Sequence, residues 1–151
     1  MAALFAWLAT SGIVQGIIIG APLAFLTATV VLNLKVRAIT ESANGWESIP
    51  LAGQPGNGIL TRAASAKALP VVNVFEEAAY WTATKDSAGQ TLRGENAYVL
   101  RFPPGGFPLN GAFWSLTVTD RVGYMVRNPI GRSSFDDRSD FATGPDGSVD
   151  I

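Results

Sequence analysis

The chain has 151 residues, room for one domain, and its 11 basic and 12 acidic side chains leave a net charge of -1, which gives no electrostatic reason to expect nucleic acid as a partner. It contains no cysteine and no histidine. That excludes disulfides, thiolate nucleophiles, imidazole bases and the usual nitrogen and sulfur ligand sets of zinc, copper and non-haem iron. Any bound cation would need oxygen ligands, and no cofactor is expected.

The chain falls into two unlike parts, because residues 1–34 hold no ionisable side chain and every charged one begins at Lys35. Such a run exceeds the roughly 20 apolar residues that cross the hydrocarbon core of a bilayer. As a helix rising about 1.5 Å per residue, Trp7 to Lys35 covers about 42 Å, near the thickness of a bilayer with its headgroups. Residues 1–37 therefore read as a single transmembrane anchor whose partner is the lipid bilayer, with Trp7 and the Lys35/Arg37 pair at its two interfaces. Pro22 is expected to kink it. Gly12, Gly16, Gly20, Ala24 and Ala28 recur every four residues, a stripe that either pairs helices, including two copies of this chain, or reflects the general richness of membrane helices in small residues. A cleaved signal peptide fits less well, since the first residues carry no Lys or Arg and the apolar run is too long. The positive-inside tendency of Lys35 and Arg37 alone places the C-terminal part in the cytoplasm.

Residues 38–58 read as an irregular connector rich in turn residues, among them Asn44-Gly45 and Pro55-Gly56-Asn57-Gly58, with Trp46 its one large anchor. Residues 59–69 favour a short alanine-rich helix capped by Asn57 and stopped by Pro70, suited to close packing on a sheet or another helix. Strands follow: residues 79–84, the turn at 86–89, residues 97–102, the proline-rich loop 103–108, the stretch 113–120, and 124–126. In 113–120, Trp114, Leu116 and Val118 alternate with Phe113, Ser115, Thr117 and Thr119, which makes it the expected central strand, with Leu116 and Val118 facing a core. The expected order is an antiparallel meander. Residues 148–151 look like the opening of another strand, so the chain is expected to be a fragment of a longer protein or to be completed by strands of another copy.

Several of these segments resemble one known family. The runs Glu77-Ala78-Ala79-Tyr80, Tyr98-Val99-Leu100-Arg101-Phe102 and Ala112-Phe113-Trp114-Ser115-Leu116-Thr117, with Asp86, Gly89 and Leu92 between the first two, resemble the domain of unknown function 1214 family. So do Asn128-Pro129, Arg132, Arg138 and Asp146-Gly147-Ser148, with Gly45-Trp46 and Arg62-Ala63 upstream. The resemblance covers about residues 45–151, and its most specific part is Phe113 to Thr117 combined with Asp146-Gly147-Ser148. It implies a jelly-roll-like antiparallel sandwich, usually exported, that follows a membrane segment or a second domain, and it implies no established activity. Members continue past the Asp-Gly-Ser strand to a closing strand that is not in this sequence. The expected architecture is thus mainly β, an incomplete antiparallel jelly-roll-like sandwich with one short helix, over residues 59–151, behind the anchor and the connector.

Arg132, Asp136, Asp137, Arg138 and Asp146, near Asp140 and Asp150, form the one dense ionisable cluster. Arginines among aspartates favour ion pairs that pin a loop, against a hard-cation site. Ser115, Ser133 and Ser134 lack a nucleophile-elbow setting, and without histidine no serine triad is available. Glu76, Glu77, Glu95 and Asp120 are the carboxylates from which a glycosidase pair would have to come, although adjacent Glu76 and Glu77 would point to opposite sides of a strand. Tyr80, Trp81, Tyr98, Trp114 and Tyr124 read as core filling or, less simply, as an aromatic platform for sugars. Phe113, Trp114 and Ser115 are taken as the core motif. The favoured function is a membrane-anchored, non-catalytic module that binds a ligand or partner, outside the cytoplasm by resemblance. The alternatives are a carboxylate enzyme on carbohydrate or lipid-derived substrates, and an assembly subunit.

Overall fold

The computed structural model describes Met1, residues 6–7 and residues 9–151. Residues 2–5 and 8 of the anchor segment lie outside the described residues. The chain divides into two compact units, Met1–Arg93 and Gly94–Ile151.

The first unit is built on helix α1, Gly12–Ile39, 28 residues long. It is long and apolar enough to cross a membrane. The helix runs on through Pro22, whose missing amide leaves the Ile18 carbonyl without its usual donor. It ends at Thr40, whose backbone N–H and hydroxyl both donate to the Val36 carbonyl, at 3.0 and 2.8 Å. Helix α2, Ile59–Ala68, packs against α1. Over its last three turns α1 is covered or half-covered at Thr29, Leu32, Lys35, Val36 and Ile39; on α2 the covered or half-covered positions are Thr61, Ala64, Ser65 and Ala68. Both sets follow the three-and-four spacing of one helix face. With alanine and serine at the contact, the two backbones approach closely. The N-cap of α2 is Gly58 rather than Asn57, which instead donates its side-chain amide to the Leu51 carbonyl.

The segment expected to be an irregular connector contains a hairpin. Strands β1, Glu41–Ala43, and β2, Trp46–Ser48, pair antiparallel with Ala43 opposite Trp46. Asn44 and Gly45, at φ 53° and 82°, make the two-residue turn between them, for which Asn-Gly is the favoured sequence. Strand β3, Thr82–Ala83, adds to β2 and completes a three-stranded sheet in the order β1-β2-β3. Gly53, at φ 75°, lets the chain pass close to residue 73: a Cβ there would sit 2.8 Å from the Asn73 carbonyl oxygen.

The second unit has four short strands: β4, Arg101–Phe102; β5, Ser115–Thr117; β6, Ser134–Asp136; and β7, Val149–Asp150. They do not form the expected meander. β5 pairs with β6, and β4 reaches past both to pair with β7, with Phe102 opposite Val149. The nesting follows from the turn chemistry. Asp86, Asp120, Asn128 and Gly144 each accept, at the backbone carbonyl, the N–H of a glycine three residues on, and those glycines, 89, 123, 131 and 147, all have positive φ. This is a tight turn closed by a left-handed residue, which reverses the chain in few residues and leaves little strand on either side. Residues 124–126 hold a single bridge, Thr119 to Met125, in place of a strand. Beyond Thr117, opposite Ser134, no further pairing extends β5. Val118, expected in a core, is accordingly 69% exposed.

The protein is therefore mainly β outside its helices, in short antiparallel strands grouped in small sheets, with one long apolar helix and one short one. Among the described residues the buried side chains are mostly small: Ala52, Ala64, Ser48, Ser65 and Ser148, with Ile39 and Val149 the branched ones.

Candidate functional site

The densest side-chain packing in the second unit is aromatic. Phe102 leaves β4 toward Phe107, with ring centroids 5.0 Å apart, and both lie beside Trp114, which enters β5. Phe107 reaches Trp114 because the loop between them and β4 turns back at once, the Gly106 N–H donating to the Pro103 carbonyl. Phe141 completes the group, 6.0 Å from Trp114 and 5.7 Å from Phe107, and Phe135 of β6 touches Phe141 at 5.9 Å. The planes of Phe107 and Phe141 lie 21° and 13° from that of Trp114, so each is stacked with it, while the two phenylalanines are tilted 33° to each other. Such offset stacking adds to the stabilisation from burial, about 0.5–1.5 kcal/mol per pair. All five rings are half-buried.

Only Trp114 of the three-residue core motif belongs to this cluster. Phe113 is 64% exposed and Ser115 points to solvent. Of the five aromatics considered as a platform, Tyr80 and Trp81 fall in the first unit, while Tyr98, Trp114 and Tyr124 fall in the second. The partners of Trp114 are phenylalanines that strand pattern alone did not single out. Phe107 sits in a proline loop and Phe141 outside any strand, so neither carries a periodic signal.

The ionisable groups near the cluster are occupied by backbone and by one long-range pair. Arg101 and Asp150 face each other across β4 and β7 and form a bidentate bridge, Nε to Oδ1 and Nη2 to Oδ2, both 2.7 Å. The hydrogen bond and charge of Arg101 hold the Asp150 carboxyl below its ordinary value. The Ser148 hydroxyl and backbone N–H donate to Asp146 Oδ1 and lower its pKa in turn. Asp120 Oδ1 accepts the N–H groups of Tyr124 and Val122, which depress its pKa. Asp136 accepts the Arg138 N–H and the Ser139 hydroxyl, closing a turn at the end of β6. The Asp137 N–H donates to the Trp114 carbonyl at 3.3 Å and ties that turn to the aromatic cluster. Arg132 lies over the Phe135 ring, 5.0 Å from its centre. The nominated Arg132, Asp136, Asp137, Arg138 and Asp146 thus serve turns and a ring face, while the bridge itself is made by Arg101, 49 residues from its partner and outside the nominated set.

Among the described residues, no group of three or more carboxylates is placed to hold a metal ion. Glu76 accepts a 2.7 Å hydrogen bond from Gln54, and its carboxyl is lowered first by its own backbone N–H and then by that bond. It sits with Glu77 in the first unit, in a turn closed by the Glu77 N–H to the Val74 carbonyl, and Glu95 and Asp120 sit in the second.

In the first unit a Cβ added at Gly12, Gly16 or Gly20 would meet nothing within 4 Å. Gly20, Ala24 and Ala28 line an open apolar groove of about 660 Å³ with Leu23, Thr27 and Leu60, so part of the small-residue stripe borders this chain's own α2.

No curated protein and no solved structure matches the chain. Residues 77–151 match the model of the family described as "Protein of unknown function (DUF1214)". This span takes in β3 to β7, the tight turns and the whole aromatic cluster, and over it the chain is similar to the DUF1214 family.

Proposed function

We propose that the protein is a single-pass membrane-anchored module that binds a ligand or partner at its aromatic cluster without transforming it. The observation that carries this is the half-buried group of Phe107, Trp114 and Phe141, in which Trp114 lies nearly parallel to each phenylalanine. Flat apolar faces left partly open suit flat apolar ligand faces such as those of sugar rings. Asp120 and Asp146 are engaged in turns and Asp150 is paired with Arg101, which favours binding over catalysis at these carboxylates. The anchor is α1. Its outward-facing length, from Gly12 to the point where α2 covers it near Thr29, is about 17 residues, the lower end of what spans a hydrocarbon core.

The test is titration of the full chain in lipid nanodiscs with neutral oligosaccharides, reading tryptophan fluorescence and, in parallel, the mass of the recovered sugar. Saturable binding that Phe107→Ala weakens at least tenfold, with the sugar recovered intact, supports the proposal. Cleaved sugar moves the protein to the carboxylate enzymes. Binding that is indifferent to Phe107 removes the stack as the site.

A further inference from the structure

The connection from β5 to β6 is exposed along its whole length, residues 118–133. Two turns of the same build fold it, 120–123 closed by Asp120 and 128–131 closed by Asn128. In each, the residue before the left-handed glycine stands at the tip. At the equivalent tips elsewhere the sequence has Ala88 and Asp146, small or polar as solvent exposure favours. Here it has Val122 and Ile130, 76% and 74% exposed. Three arginines, Arg121, Arg127 and Arg132, flank these tips. The one carboxylate in the stretch, Asp120, is turned onto backbone N–H groups. The ladder also sorts charge along its length: Ser115 opposite Asp136 marks one end, with Asp137 beyond, while the arginine-bearing connection leaves the other end at Thr117 and Ser134.

From this juxtaposition we infer that the β5–β6 connection docks on a bilayer surface rich in anionic lipid, the Val122 and Ile130 tips entering the headgroup layer and the arginines meeting its phosphates and carboxylates. The inference rests on the membrane-anchored reading of α1. Two aliphatic tips fall far short of the roughly 20–30 residues a side of a stable protein interface. For a surface they suffice, because the anchor holds the module at a high effective concentration. Each arginine near an anionic leaflet strengthens occupancy about fivefold, the factor that corresponds to about 1 kcal/mol. The sorted charges orient the approach: the arginine end is attracted, and the Asp136–Asp137 end is repelled.

A chain without cysteine makes the test clean. Single substitutions Val122→Cys, Ile130→Cys, Leu109→Cys and Leu23→Cys, each carrying an environment-sensitive fluorophore, are placed in the full chain reconstituted in vesicles of phosphatidylcholine alone or with phosphatidylserine. The expected result is a blue shift and quenching by brominated lipid at positions 122 and 130 only when phosphatidylserine is present, reversed by high salt. The pair R121Q/R127Q weakens it about 25-fold, two factors of five, while Arg→Lys at both positions retains it. The probe at exposed Leu109 stays aqueous. Probes at 122 and 130 that stay aqueous while the Leu23 probe reports hydrocarbon overturn the inference and leave the anchor standing. A shift that ignores lipid charge and grows with protein concentration in detergent overturns it in favour of a second copy. An aqueous Leu23 probe overturns the anchored reading, and the inference with it.

Discussion

The unit Met1–Arg93 closes on small side chains, and Gly94–Ile151 closes on large rings. In the first, Ala64 and Ser65 of α2 are buried because neither residue needs much space, so the short helix α2 can lie close against the long α1. In the second, strands of two or three residues supply few ladder bonds, and the shape rests on tight turns and on five aromatic rings that touch one another. Order in the first unit is spread along helices. In the second it is concentrated at Trp114, and the two should therefore fail differently.

The sharpest way to separate them is Trp114→Ala, which removes the ring that touches Phe102, Phe107 and Phe141. A loss of about 2–4 kcal/mol is expected, below the cost of a fully buried tryptophan because this one is half exposed. Near-ultraviolet circular dichroism of the second unit should collapse while the helical signal of α1 and α2 persists. Phe113→Ala, one residue away but in solvent, should change little.

Next in size is Ala64→Leu, at a position with 0% exposure. Overpacking there should cost about 1–3 kcal/mol and free α2 from α1, seen as faster hydrogen exchange over residues 59–68. The aromatic cluster should not notice. Gly53→Ala follows at about 1–2 kcal/mol, since its positive φ and the Asn73 carbonyl 2.8 Å from the new Cβ both oppose a side chain. Gly123→Ala, where nothing crowds the Cβ, should cost less, leaving only the backbone penalty.

The smallest effect is electrostatic and falls mainly on the second unit. Asp120, Asp146 and Asp150 all have carboxyls held below their ordinary value by hydrogen bonds or by Arg101. A depressed pKa means the folded state binds protons less readily than the unfolded one. The stability these groups confer is thus complete above the unfolded value near 3.9 and is lost as pH falls through the lower folded values. Melting of the second unit should decline below about pH 4, and Asp120→Asn with Asp150→Asn should flatten that decline. Water and salt screen these exposed groups, so the shift is modest.

How far the sequence alone carried differs between the units for the same physical reason. Helix α1 was legible because thirty-four residues without charge can mean little else, and α2 because an alanine run ends at Pro70. The turns at 86–89, 120–123, 128–131 and 144–147 were legible in outline because glycine must follow where φ turns positive. The pairing of β4 with β7 was not, since alternation records that a segment can pair and never with what. For the same reason Val118 looked like core: its neighbours on that face, Trp114 and Leu116, are half-buried, but β6 no longer accompanies the chain beyond Thr117. Arg101 escaped notice because its partner lies 49 residues on. The Asn44-Gly45 hairpin is the instructive miss. The turn was visible, but its three-residue arms were too short to show a period.

The central claim is that α1 crosses a bilayer and emerges where α2 begins to cover it. The most direct measurement places single cysteines at Ile18, Leu23, Leu34 and Arg37 in the full chain in native membranes and labels them with a membrane-impermeant maleimide, with both faces made accessible. Protection at 18 and 23 with labelling at 34 and 37 is the predicted result. Labelling of 18 and 23 as fast as 37 would contradict it.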